Sequence, residues 1–304
     1  MGFTQRAAIL VTSASTALML AATATAATTT VSSVPGTAHA AKRCIKVTAT
    51  VHFPQASFPQ WVAADPKTGT IYVALFGPGK VAVISGRTNT VTGTVPIGQQ
   101  PQGAAVDPKT NTIYVANSRD NTVSVISGRT STVTATIPVG TFPVGVAADP
   151  KTNTVYVAND SGNSVSVISG RTSTVTATIP VGSAPTGVAA DPKTGTVYVT
   201  NFLGGTVSVI SGRTNAVTAT IPVGGNLDGA AVNPKTGTVY VANDFNSTVS
   251  VINGRTNTVT ATIPIGITGT FPQPSGIAAD PKTGTAYVAN PGDDTMSVLG
   301  RCPK

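Results

Sequence analysis

Beyond the first forty residues, the chain's imidazole and thiol groups are His52, Cys44 and Cys302, and nothing more. All 11 acids are aspartate, with no glutamate anywhere. A Ser-His-Asp arrangement would have to be built on His52, and no nucleophile motif accompanies it. Zinc draws on several His or Cys ligands, which this inventory does not provide. Asp293 and Asp294 in "PGDD" offer oxygen ligands for calcium but lack the dense acidic spacing of a calcium loop. Adjacent in an extended segment, they also point to opposite sides, which spoils paired-carboxylate chemistry. The residue types exclude metal, thiol and triad catalysis as a first reading, so we expect no enzyme and no cofactor. What remains is recognition chemistry: aromatic faces, amides, isolated carboxylates and many cations.

These groups are placed by a repeat. The arginine of "GRT" recurs at 87, 129, 171, 213 and 255, a step of 42. The six tyrosines, Tyr72, Tyr114, Tyr156, Tyr198, Tyr240 and Tyr287, keep the same step until the last, which stretches to 47. The five extra residues fall in the loop "IGITGTFPQPSG". Each repeat breaks into four alternating segments; in the third they are 145–149, 154–159, 164–169 and 174–182. Val and Thr dominate, and Gly and Pro punctuate, which selects strands over helices. Period-2 alternation places Val155, Val157, Val165 and Val167 on buried faces. Four short strands in about 42 residues match one blade of a β-propeller.

The turns agree with this reading. In "DPKTG", Asp bonds the backbone and Pro pre-sets φ. The fifth position is Gly69, Asn111, Asn153, Gly195, Gly237 and Gly284, the two residue types that accept a left-handed backbone. Six copies of the turn predict six blades. The sixth stops after "TMSVLGRC" without a fourth strand, whereas "CIKVTATV" (44–51) matches the fourth-strand phrase "TSTVTATI". The expected fold is an all-β, six-bladed propeller of four-stranded antiparallel blades, closed by its N-terminal strand. Cys44 and Cys302 then share the register position of Thr130, and a disulfide between them would lock the seam, contributing roughly 2–5 kcal/mol.

Residues 1–40 are different in kind. Arg6 precedes the apolar run Ala7–Ala22, too short to span a bilayer and followed by small residues, as in a secretory signal. Cleavage fits after Ala26 or Ala40, and the second is preferred because structured sequence begins at "KRCIKV". A single domain then occupies 41–304, with no membrane span. The expected location is extracellular, released or held at the cell wall. An exported chain also suits a disulfide.

"YVTN" stands at Tyr198–Asn201, with "YVAN" in four other copies and "YVAL" in the first. In these phrases the chain resembles the YVTN-type β-propeller repeat family of surface-layer and exported bacterial proteins. The resemblance covers 44–302 and implies a propeller. Its functional implications are broad, since relatives include surface proteins, DNA binders and lactonases. Lactonase-like relatives use acidic and histidine metal ligands at the channel, which Asp228 alone does not reproduce.

An up-and-down blade sorts its loops onto two ends. One end collects "DPKTG" and "GRTN", with Lys67, Lys109, Lys151, Lys193, Lys235 and Lys282 beside Arg87, Arg129, Arg171, Arg213, Arg255 and Arg301. Asp65, Asp107, Asp149, Asp191 and Asp280 lie in the same turns. This basic face could attract nucleic acid or teichoic acid, although no aromatic stacking residue accompanies it. Repeated solubilising turns would look the same.

The other end varies from copy to copy. Phe53, Phe58, Phe76, Phe142, Phe202, Phe245 and Phe271 all lie there, with Asp120, Asp160, Asp228, Asp244, Asp293 and Asp294. Aromatic faces beside carboxylates and amides suit a carbohydrate or protein ligand; crossover phenylalanines that merely plug gaps between blades are the plainer explanation. Trp61 stands where later copies have Gly103, Gly145, Gly187, Gly229 and Gly276, next to a ring formed by Gln60, Gln102, Val144, Thr186, Asp228 and Ser275. It is either a stacking platform at the channel mouth or a plug between blades. The candidate ligand residues are therefore Trp61, Gln60, Gln102, Asp228, Phe58, Phe142, Phe202, Phe245 and Phe271. The asparagines ending the second strands, such as Asn159, are expected to be structural.

Overall fold

The computed structural model describes residues 50–265, 273–292 and 295–300. They form six antiparallel sheets and no helix. The third blade is typical, with strands Pro143–Asp149, Thr154–Asn159, Ser164–Ser169 and Thr174–Pro180 in spatial order. The other complete blades span 59–96, 101–138, 185–222 and 227–264. The sixth has three described strands, Ile277–Asp280, Thr285–Asn290 and Thr295–Leu299. This is the six-bladed propeller the repeat predicts.

The second to fifth blades are each sandwiched between neighbours, so both faces of their middle strands are largely dry. Val155, Tyr156, Val157 and Ala158 run consecutively at 0–2% exposure. Alternation therefore sorts side chains between two cores, and not between core and water. Ala63, Tyr72, Ala74, Val81, Val83 and Val95 of the first blade form one cluster with Ala104, Ile113, Val115 and Ile126 of the second. Burial of several such side chains at each junction, at roughly 1.5–3 kcal/mol apiece, makes these interfaces the main source of stability.

Two polar devices keep the blades regular. The ladder between third and fourth strands shifts by one residue at Val125/Ile126, and Thr134 at this bulge donates its hydroxyl to Val125 O at 3.2 Å. Thr92, Thr176, Thr218 and Thr260 do the same in their blades. The second device is the strand-ending asparagine. Asn159, fully buried, donates through Nδ2 to the hydroxyls of Ser164 and Ser166 at 3.1 and 3.0 Å. In the first blade Leu75 replaces this asparagine, and Lys80 and Ala82 stand in place of the hydroxyls. The amide and its acceptors disappear together, as a buried donor requires.

Val51 and Phe53 pack against Val73, Leu75, Ala82 and Ile84 of the first blade. Ile137 and Val139 of the second blade meet Val155, Val157 and Ile168 of the third in the same way. Elsewhere the faces at this end of the repeat are bare among the described residues: Val62 is 61% exposed, Met296 51% and Val298 49%. The segment 44–49, Cys44 and Cys302 lie outside the described residues, as do Phe271, Asp293, Asp294 and Arg301.

Candidate functional site

The first strands of adjacent blades approach so closely that backbone meets backbone. A Cβ on Gly103 would sit 2.0 Å from Val144 O, and on Gly145 it would sit 2.0 Å from Thr186 O. At Gly187 and Gly229 the next blade's carbonyl is 2.4 and 2.1 Å away. Glycine is required there by contact, because none of these four has a left-handed φ. Trp61 carries a Cβ at the corresponding place, so the first junction cannot close in the same way. Its indole is half-buried and packs on the cluster shared by the first two blades. The neighbouring ring is uneven: Gln60 is exposed, Gln102 and Asp228 are half-buried, and Val144 and Thr186 are buried.

On the basic face, all eleven described cations of the Lys and Arg turns are exposed. Their aspartates are not. Asp65, Asp107, Asp149 and Asp191 are 1–3% exposed, each accepting a hydrogen bond from the lysine N–H two residues on, at 2.8–2.9 Å. Asp149 and Asp191 also accept from Thr152 and Thr194. The acids brace the turns from beneath, while the lysine side chains stand outside. Asp280, the most open of them, is held below the ordinary carboxylate range by the Thr283 hydroxyl and the Lys282 amide. A shallow depression of about 460 Å³ lies on this face, bordered by Lys151, Arg213, Tyr156 and Asn257.

The hydroxyls of Tyr114, Tyr156 and Tyr198 reach the next blade's third turn at Gly170, Gly212 and Gly254; Tyr198 donates to Gly254 O at 3.2 Å. Burial, followed by the Asp107 charge, pushes the Tyr114 phenol up to about 12. Burial also raises Tyr72, Tyr156 and Tyr198, with Asp65, Asp149 and Asp191 adding to it. An unfolded tyrosine loses its proton near pH 10 and Tyr114 only near 12, so the unfolded chain binds fewer protons across that window. Stability is therefore full below about pH 10 and falls as pH rises towards 12. We expect the unfolding temperature to decline through that range. An ultraviolet titration should show some of the 6 tyrosines ionising late; all ionising together near pH 10 would contradict this packing.

On the variable face the candidate aromatics separate. Phe245 is 76% exposed and Phe58 37% exposed, while Phe142 and Phe202 are half-buried. Phe58 and Phe142 adopt φ of 43° and 55°, and Gln100 and Ala184 share that left-handed crossover position. The conformation thus belongs to the crossover and not to the aromatic ring. Leu203, 66% exposed in the turn beside Phe202, was not signalled by sequence, since one leucine in a loop looks like filler. Among the described residues, no three His, Cys, Asp or Glu side chains cluster to hold a metal. His52 is exposed. Among the described residues no helix is long and apolar enough to cross a membrane.

The arrangement defines a β-propeller with one cationic and one mixed aromatic–polar face. No family model matches the sequence, and no curated protein matches it. Among solved structures, the chain is similar to a chain of Kuenenia stuttgartiensis hydrazine synthase, with a TM-score of 0.59 and 18% identity. The match covers 85% of this chain and 99% of that one. At that identity the likeness is one of fold alone.

Proposed function

We propose that the protein is an exported, non-enzymatic binding module whose variable face recognises a cell-wall glycan or a protein partner. One observation carries this reading: Phe245 and Leu203, the two most exposed large apolar side chains described, both stand in second-turn loops of that face. The leader-like residues 1–40 support export, and the repeated "YVTN"-type phrase supports a place among surface propellers. The single exposed His52 and the absence of glutamate support a module without catalysis.

A second reading is favoured by the recessed aspartates. With its acids buried, the opposite face offers eleven exposed cations to a polyanion such as nucleic acid or teichoic acid. Co-sedimentation with wall preparations, with and without attached anionic polymers, separates the two. The variable-face reading expects binding that survives a rise from low to high salt and removal of the polymers. Contact with six or more phosphates would instead lose about a thousandfold between 50 and 200 mM salt. That loss would transfer the function to the basic face.

A further inference from the structure

The repeat provides its own standard, and several departures from it meet at the junction of the fourth and fifth blades. Thr200 replaces the alanine found at Ala74, Ala116, Ala158, Ala242 and Ala289. Its hydroxyl accepts from Gly187 N–H at 2.7 Å and donates to Asp228 O, tying the two blades together beneath the loops. The crossover above them is also different. At the two preceding junctions, Asn121 and Asn163 clamp the crossover by accepting from Phe142 N–H and Ala184 N–H at 2.8 and 2.9 Å. At the fourth–fifth junction that asparagine is Gly205, as it is Gly79 at the first–second, and the clamp is gone. The crossover instead turns through Gly224 and Gly225, with φ of 85° and 75°.

Gly205, Gly225 and Asn246 follow one another in near contact. A Cβ on Gly205 would lie 3.1 Å from Gly225 O, and one on Gly225 would lie 2.9 Å from Asn246 Nδ2. The result is a continuous patch with a side-chain-free glycine floor. Leu203, in the same turn as Gly205, and Phe245, next to Asn246 in the following blade's turn, are both exposed, as is the Asn246 amide. Regular repeats depart from their own pattern where function requires it.

We propose that this junction binds a neutral pyranose unit of a glycan. The glycine floor admits a flat ring close to the backbone. Phe245 offers an aromatic face for the apolar side of a sugar, and Asn246 offers both a donor and an acceptor for hydroxyls. The patch is too small for a stable protein partner, which engages about 20–30 residues a side. The loops 202–205, 224–226 and 244–247 contain no Lys or Arg to pair an anionic ligand.

This assignment rests on the variable-face reading above and deepens it. Isothermal titration at physiological salt, with chitohexaose and cellohexaose as probes, tests it. The wild-type protein should bind at least one of them, and Phe245→Ala should weaken that binding at least about tenfold. Lys235→Ala, on the opposite face, should leave it unchanged. Phe245 is exposed, so an unaltered unfolding temperature will show that the variant remains folded. Binding indifferent to Phe245→Ala overturns the site, and a wild-type protein that ignores both sugars overturns the ligand class. Self-association abolished by Phe245→Ala would make the patch an interface between copies, and equally overturns the proposal. Failure of the variable-face reading looks different: the wild-type protein would then bind no wall preparation except through salt-sensitive contacts.

Discussion

Gly145→Ala is expected to destabilise the propeller by about 3 kcal/mol or more, at the upper end of overpacking effects. The added Cβ would fall 2.0 Å from Thr186 O, and no carbon approaches a backbone carbonyl that closely. Neither partner is a flexible side chain, so the relief must come from moving one whole blade against the next. For a domain of this size the unfolding temperature should fall by roughly 6–12 °C. Gly276→Ala is the matched control, with no described atom within 4 Å of its Cβ and no left-handed φ. It should change stability by no more than about 0.5–1 kcal/mol, with a gain from the stiffer unfolded chain. Thermal unfolding of the two variants side by side checks the contact. Equal losses would mean that glycine is needed for some reason other than the neighbouring strand.

Trp61→Gly is expected to cost about 2–3 kcal/mol, less than truncation of a fully buried indole, because Trp61 is half-buried. The loss would come from a void beside the Ala63–Tyr72–Ile113 cluster. Wall binding should be unchanged once the variant is confirmed folded. Denaturant titration paired with a binding isotherm separates the two roles. Full stability with lost binding would make the indole a ligand contact and return the site to the channel mouth.

Much of the fold was legible because each blade repeats the same solution. The "DPKTG" turn displays its left-handed fifth residue as Gly or Asn, and Asn111 and Gly195 adopt φ of 53° and 72° as that choice requires. The last blade shows three described strands, and the strand expected to complete it, 44–51, lies mostly outside the described residues. The coupling of Asn159 to Ser164 and Ser166 was not legible, because a strand-ending asparagine also reads as a turn cap. Only the joint change to Leu75, Lys80 and Ala82 in the first copy hinted at it. The depth of Asp149 was equally hidden, since "DPK" spells a charge pair whether or not the acid is covered. Exposure also reordered the phenylalanines. Phe142 and Phe245 are equivalent in composition, but only Phe245 stands fully clear of the crossover. Leu203 gained meaning only from its place beside a glycine floor.

The central claim is that ligands meet the variable face. Two variants measured in parallel on one wall preparation test it most directly, one carrying Phe58→Ser, Leu203→Ser and Phe245→Ser, the other Lys151→Gln, Lys193→Gln and Arg213→Gln. Binding lost in the first and retained in the second is the predicted result. Binding retained in the first and lost in the second would contradict it and assign recognition to the cationic face.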